Sequence, residues 1–156
     1  MADAVTIRPA VPTDAPVLSE LLAQLGYPTA PSEIPQRLRA LGEYPSAVAF
    51  VAANESGEVV GLVTAHLFPS IHDSEPVGWL TTLVVLETAR GAGIGTALVR
   101  HIEQWAAEKG AKRLSVTSGI QRTMTHEFYG ERNYVRTGLR FSKALPTSFL
   151  SGRVSD

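Results

Sequence analysis

The chain has 156 residues, 44% hydrophobic and 19% charged, which is the balance of a folded domain and excludes a disordered or membrane-embedded class. Fourteen Lys and Arg against fifteen Asp and Glu leave a formal charge of -1, without the cationic excess of a protein that coats nucleic acid. There is no cysteine, so disulfides, thiolate metal sites and cysteine nucleophiles are excluded.

Met1 to Arg8 has no basic start leading into an apolar stretch, so no secretory leader is expected. The longest apolar run, Ala47 to Ala53, falls far short of the ~20 residues that span a bilayer. These features predict one cytoplasmic domain over residues 1–156, with a polar, frayed tail at 146–156.

Val5, Ile7 and Pro9 read as a short first strand. Thr13 or Asp14 then caps a helix whose apolar face is Val17, Leu18, Leu21, Leu22 and Leu25, spaced three and four apart. Gly26-Tyr27-Pro28 stops it. A second helix runs from about Ser32 to Gly42 with Ile34, Leu38 and Leu41 inward. Ala47–Ala53 and Val59–Leu67 flank Asn54-Glu55-Ser56-Gly57 and read as an antiparallel hairpin. A polar loop from Pro69 to Pro76 precedes a strand over Trp79–Leu86.

Arg90-Gly91-Ala92-Gly93-Ile94-Gly95 follows, opening a helix with Ile94, Ala97, Leu98, His101, Ile102, Trp105 and Ala106 inward and Gly110 at its end. Leu114–Val116 is a strand and Met124–Arg132 a short helix. Tyr134-Val135 and Leu139–Leu145 read as two closing strands around Gly138. The order predicts an α+β domain, a mixed sheet covered by helices.

A strand, a glycine-rich turn and a helix make an anion site on physical grounds alone. Small residues let successive N–H groups converge, and the helix N-terminus adds unpaired donors and the positive end of its dipole. Arg90 adds a full charge, so a phosphate or pyrophosphate is the favoured guest. The alternative is that the glycines only make a tight turn. A dinucleotide fingerprint would need its third glycine one residue later and an acidic residue after Leu114–Val116, where Thr117-Ser118 stands. A Walker loop would need a lysine that Gly95-Thr96 lacks.

Arg90-Gly91-Ala92-Gly93-Ile94-Gly95 after Leu83-Val84-Val85, with Phe128-Tyr129 downstream, resembles the GNAT N-acetyltransferase superfamily. The resemblance runs from Ile7 to Lys143. It implies a central, mostly antiparallel, splayed sheet of six to seven strands flanked by about four helices. It also implies transfer of the acetyl group of acetyl-CoA directly to a primary amine of a small molecule or peptide. No metal, nucleic acid or membrane enters that reading, and a homodimer is among the arrangements it allows.

Carried over residue by residue, the pyrophosphate falls to Arg90, Gly91, Ala92, Gly93, Ile94, Gly95 and Thr96, and the pantetheine arm to the main chain of Leu83, Val84 and Val85. The Val85 backbone polarises the thioester carbonyl. Tyr129 is the general acid that protonates the departing thiolate, since a phenol holds its proton at pH 7. Arg122 and His126 lie beside the carrier, and Asn133 stands where the family has a glycine. The family's strand glutamate is missing from Gly78-Trp79-Leu80-Thr81-Thr82. Among the nearest ionisable groups, Glu75, Asp73, His72 and His66, Glu75 is taken as the base. Gln24, Tyr27, His72 and Thr81 are the acceptor-binding candidates. The missing glutamate motivates a second reading, a non-catalytic acyl-CoA sensor on the same fold.

Overall fold

A computed structural model describes residues 4–147. It divides into two compact units that meet in sequence at Val116 and Thr117. The first unit holds a five-stranded sheet in the order β1 (Thr6–Pro9), β2 (Ala47–Ala53), β3 (Val59–Phe68), β4 (Val77–Val85) and β5 (Leu114–Val116). Neighbours are antiparallel except β4 and β5, which run parallel. The helices are α1 (Ala15–Leu25), α2 (Ile34–Gly42) and α3 (Ile94–Glu108) in the first unit and α4 (Thr123–Gly130) in the second. Single 3₁₀ turns at Pro12–Asp14, Pro31–Glu33 and Glu87–Ala89 precede α1, α2 and the glycine turn.

The long apolar runs of β2 and β3 follow from helices on both faces. Leu18 and Leu21 of α1 and Ile34 of α2 pack with Val51, Leu62 and Val84 on one face. On the other, Gly61 of β3 lies under α3. A Cβ there would meet Leu98 Cδ1 at 2.9 Å and Ile94 Cγ2 at 3.4 Å, so the absent side chain is what lets α3 approach. Strands covered on both sides lose the polar alternation of half-exposed ones. The inward residues expected for α3 are buried or half-buried, and His101 packs edge-on to Phe50, ring centres 4.5 Å apart.

At the hairpin turn, Asn54 Oδ1 accepts the N–H groups of Ser56 and Glu58, and Gly57 has φ 82°. Asp14 precedes α1, but its side chain bonds none of the helix amides. It accepts the Val11 N–H at 2.9 Å and both Arg8 Nη groups at 2.9 and 2.8 Å, joining β1 to the helix entry.

The expected six to seven strands are corrected to five among the described residues. Tyr134-Val135 and Leu139–Leu145 form no strand. Neither segment pairs with a strand among the described residues, and Val135, Leu139, Phe141 and Leu145 are all exposed. Of the expected tail, residues 148–156 lie outside the described residues. No described helix is long and apolar enough to cross a membrane.

Candidate functional site

The parallel ladder between β5 and β4 is short. It pairs Leu114, Ser115 and Val116 with Gly78, Trp79 and Leu80, and it stops there. On the other side of β4 the register against β3 slips at the same place: Thr64 faces Thr82 and Ala65 faces Leu80, leaving Thr81 as the extra residue of a bulge. Its hydroxyl meets that of Thr64 at 2.7 Å. Beyond the bulge, β4 continues to Val85 with β3 as its one ladder partner among the described residues.

The pleat decides which main-chain groups face the unpaired edge. The Leu86 N–H donates to Val60 O at 2.9 Å, so residue 86 turns its N–H toward β3. In a strand, successive residues alternate and each directs its N–H and C=O to the same side. Val84, opposite Leu62, therefore bonds to β3, whereas Leu83 and Val85 turn their N–H and C=O outward. The Val84 side chain belongs to the core beneath α1. This strand end thus serves packing through side chains and offers a hydrogen-bonding edge through its backbone.

The edge leads into the glycine turn. Gly91 and Gly93 have φ 86° and 81°, a left-handed conformation that L side chains adopt at a cost of about 1–2 kcal/mol. A Cβ at Gly91 would meet nothing within 4 Å, so glycine there answers the backbone and not crowding. Gly93 immediately precedes α3, and its carbonyl accepts the Ala97 N–H at 3.1 Å. The N–H groups of Ile94 and Gly95 begin the helix without intrahelical acceptors. Gly91 and Gly93 are exposed, Ala92, Gly95 and Thr96 half-buried, and Ile94 is anchored in the core. Arg90 is exposed, and its Nε–H donates to Val85 O at 3.0 Å.

One of the acceptor candidates, Gln24, is tied to this end of β4. Gln24, near the end of α1, uses Oε1 to accept the Glu87 N–H at 2.9 Å, tying the helix to the lead-in of the turn. Tyr27, three residues on, is 65% exposed. His72 and Glu75 are not brought there. They sit on the loop before β4, and ten residues of chain separate Glu75 from Val85, roughly 30 Å if extended. Ser70 Oγ lies 3.1 Å from His72 Nδ1, and Arg113 pairs with Asp73 at 2.6 Å. A cleft of about 460 Å³ opens at that end, with Phe68, Asp73, Glu75 and Lys109 among its lining.

In the second unit, Tyr129 is buried. Its ring meets Phe128 and Tyr134 at 5.3 and 5.4 Å between centres. Burial pushes its phenol up to about 12, with nearby Arg122 pulling the other way. His126 sits one turn earlier, its Nε2 2.9 Å from Gly119 O. Arg122 precedes α4 and is half-buried. After the helix, Asn133 takes φ 65°, the left-handed position expected of it. Besides the bulge at Thr81, two features had no signal in the sequence. One is the Gln24–Glu87 link, made across 63 residues, and the other is Ser118, whose Oγ is buried without a hydrogen-bond partner.

The profile of the Acetyltransferase (GNAT) family matches residues 16–134. The chain belongs to that family. It is 36% identical over 93 residues to the aminoalkylphosphonate N-acetyltransferase of Salmonella typhimurium, a match covering 60% of each chain. It is 30% identical over 129 residues to the aminoglycoside N(6')-acetyltransferase type 1 of Stenotrophomonas maltophilia, covering 81% of this chain and 83% of that one. The fold is also that of a solved aminoglycoside N-acetyltransferase in complex with CoA. That structure superposes with a TM-score of 0.78 at 18% identity, over 91% of this chain and 95% of the other.

Proposed function

We propose that this GNAT member is an acetyl-CoA-dependent N-acetyltransferase acting on a primary amine of a small molecule. The observation that carries the reading is the edge of β4 beyond Leu80, where the outward main-chain groups of Leu83 and Val85 run into two left-handed glycines at the start of α3. A pantetheine arm carries amides and can pair with such an edge as an added strand does. The pyrophosphate at the arm's end suits the N–H groups from Gly91 to Thr96 and the charge of Arg90. The CoA complex of the structural relative and the two named N-acetyltransferases support this choice of carrier.

The chemistry asks little of side chains. The neutral amine attacks the thioester carbon, an N–C bond forms, and the C–S bond breaks. An outward N–H at Leu83 or Val85 stabilises charge on the carbonyl oxygen. The family resemblance assigns the proton for the leaving sulfur to Tyr129, and burial of that phenol keeps its proton in place at neutral pH. Glu75 is not carried forward as the base: it stands at the opposite end of β4 from Val85. The nitrogen's surplus proton goes to water, with the Thr64–Thr81 hydroxyl pair as a relay on β4, and water returns a proton to the Tyr129 phenolate, so the cycle closes with no net change in the protein.

The test is thiol release from acetyl-CoA over a panel of amines that begins with aminoalkylphosphonates and aminoglycosides. The expected result is acetylation of at least one amine and a rate lowered in Tyr129→Phe. The sensor reading draws on one observation, the absence of a carboxylate from β4. Tight acetyl-CoA binding without turnover on any amine would select it and overturn the enzyme reading.

A further inference from the structure

Leu62 and Val84 stand opposite each other in the core beneath α1. The two-residue period of β3 puts Thr64, His66 and Phe68 on the same face as Leu62. Residues directly opposite share a face, so Thr82, facing Thr64, and Trp79, facing His66, join them. Leu62 and Val84 are 4% and 5% exposed, whereas these five are half-buried, so the face opens beyond the covered core. Its rings form a row: His66 and Phe68 are 5.6 Å apart between centres, Phe68 and Trp79 6.3 Å. Along β4, the bulge residue Thr81, with its hydroxyl on that of Thr64, lies between Trp79 and Leu83.

Charge limits what this face can hold. β2, β3 and β4 contain no Lys, Arg, Asp or Glu, and His66 is their one ionisable side chain. A phosphonate brought here would lose water without gaining a cation, and a polycationic body would meet no carboxylate on these strands. Past the row, at the far end of β4, the charges balance: Asp73 holds Arg113 at 2.6 Å, and Glu75 and Lys109 line one cleft with Phe68. We infer that the acceptor is a primary amine carried on an uncharged aromatic body, whose ring packs on Phe68 and Trp79 while its nitrogen reaches past the threonine hydroxyls toward Leu83. The inference rests on the transferase reading above and adds the substrate class. Phe68 and Trp79 are then specificity-determining residues: they hold the body of the acceptor and take no part in the bond changes.

Two amines that share a two-carbon arm and differ in body make the test, 2-phenylethylamine and 2-aminoethylphosphonate, with an aminoglycoside as the third. The readout is kcat/KM from thiol release at saturating acetyl-CoA. The value for 2-phenylethylamine should exceed the other two by about ten-fold or more, from ring packing on one side and uncompensated charge on the other. Trp79→Leu and Phe68→Leu keep apolar bulk and remove one ring each, and circular dichroism checks that they fold. Each should lower kcat/KM for 2-phenylethylamine by about two- to ten-fold, chiefly through KM, which is the worth of one aromatic pair. CoA affinity and the value for 2-aminoethylphosphonate should stay as in the parent, whereas a merely structural role would lower all of them together. Equal or better use of the phosphonate or the aminoglycoside, no turnover of 2-phenylethylamine, or a preference unchanged in both variants overturns this inference alone. No turnover across the wider amine panel overturns the transferase reading beneath it as well.

Discussion

Tyr129 and Asp14 are each perturbed in the direction that suits what they do. Burial holds the Tyr129 phenol at about 12 against an ordinary value near 10. The folded value lies above the unfolded one, so the contribution to stability is complete below about pH 10 and is lost as pH rises toward 12. Between pH 7 and 10 the acid therefore stays protonated, and the rate of acetylation should show no fall that Tyr129→Phe removes. That variant should lower kcat by about 10²-fold, the lower end of general acid catalysis, while leaving the CoA dissociation constant within a factor of two or so. Stopped-flow thiol release and calorimetry check the two halves. Asp14 moves the other way: the hydrogen bonds and charge of Arg8, with the Val11 N–H, hold its carboxyl below the usual carboxylate range. Its contribution is present above an unfolded pKa of about 4 and fades as pH falls through the lower folded value. Asp14→Asn should cost about 1–2 kcal/mol in urea unfolding at pH 7, since Arg8 is partly exposed. The gap from the parent should narrow toward pH 2, and a gap independent of pH would contradict the pairing.

Among the elements, α3 matters most, because its first turn is the anion cradle and its packing fixes where that turn points. Gly61 sets the distance. A side chain there would also press on Val84 O, 3.3 Å from the added Cβ, and a strand carbonyl cannot move aside as the tip of Leu98 can. Gly61→Val should lower stability by about 1–3 kcal/mol through overpacking and weaken CoA binding, although residue 61 is outside the cradle. Thermal melts and calorimetry on the same sample test the coupling, which fails if stability drops and affinity does not. The helices and the hairpin could be read from sequence because their signals are local. Leu18, Leu21 and Leu25 repeat at helical spacing, Asn54 and Gly57 close a turn, and Gly91 and Gly93 bend a strand into a helix. The closing strands failed because a strand is defined by its partner. Val135, Leu139, Phe141 and Leu145 carry the alternation but stand exposed. The bulge at Thr81 and the link from Gln24 to Glu87 were invisible for the same reason, since both arise from contacts between distant segments. Glu75 shows what closeness in sequence leaves open: it adjoins β4 in the chain but stands at the end of the strand away from Val85.

At the scale of the molecule, the glycine turn, the open edge and the end of α1 are joined through β4 and Gln24, so a ligand held there binds the folded chain and not the unfolded one. Binding must then raise stability by mass action. At a CoA concentration about 100 times its dissociation constant the gain is about 2.7 kcal/mol. For a chain of this length that corresponds to a rise in Tm of about 5–10 °C. The rise should grow with the logarithm of concentration, as linkage requires, and Gly93→Asp should remove it by placing a carboxylate among the amides. ATP and NAD carry a diphosphate but lack the amide-bearing arm that would pair with Leu83 and Val85. They should raise Tm less than CoA does at equal concentration. A rise with ATP equal to that with CoA would mean that the cradle alone does the binding and the β4 edge contributes nothing. Scanning calorimetry of the wild type and Gly93→Asp with each of the three ligands decides between these outcomes.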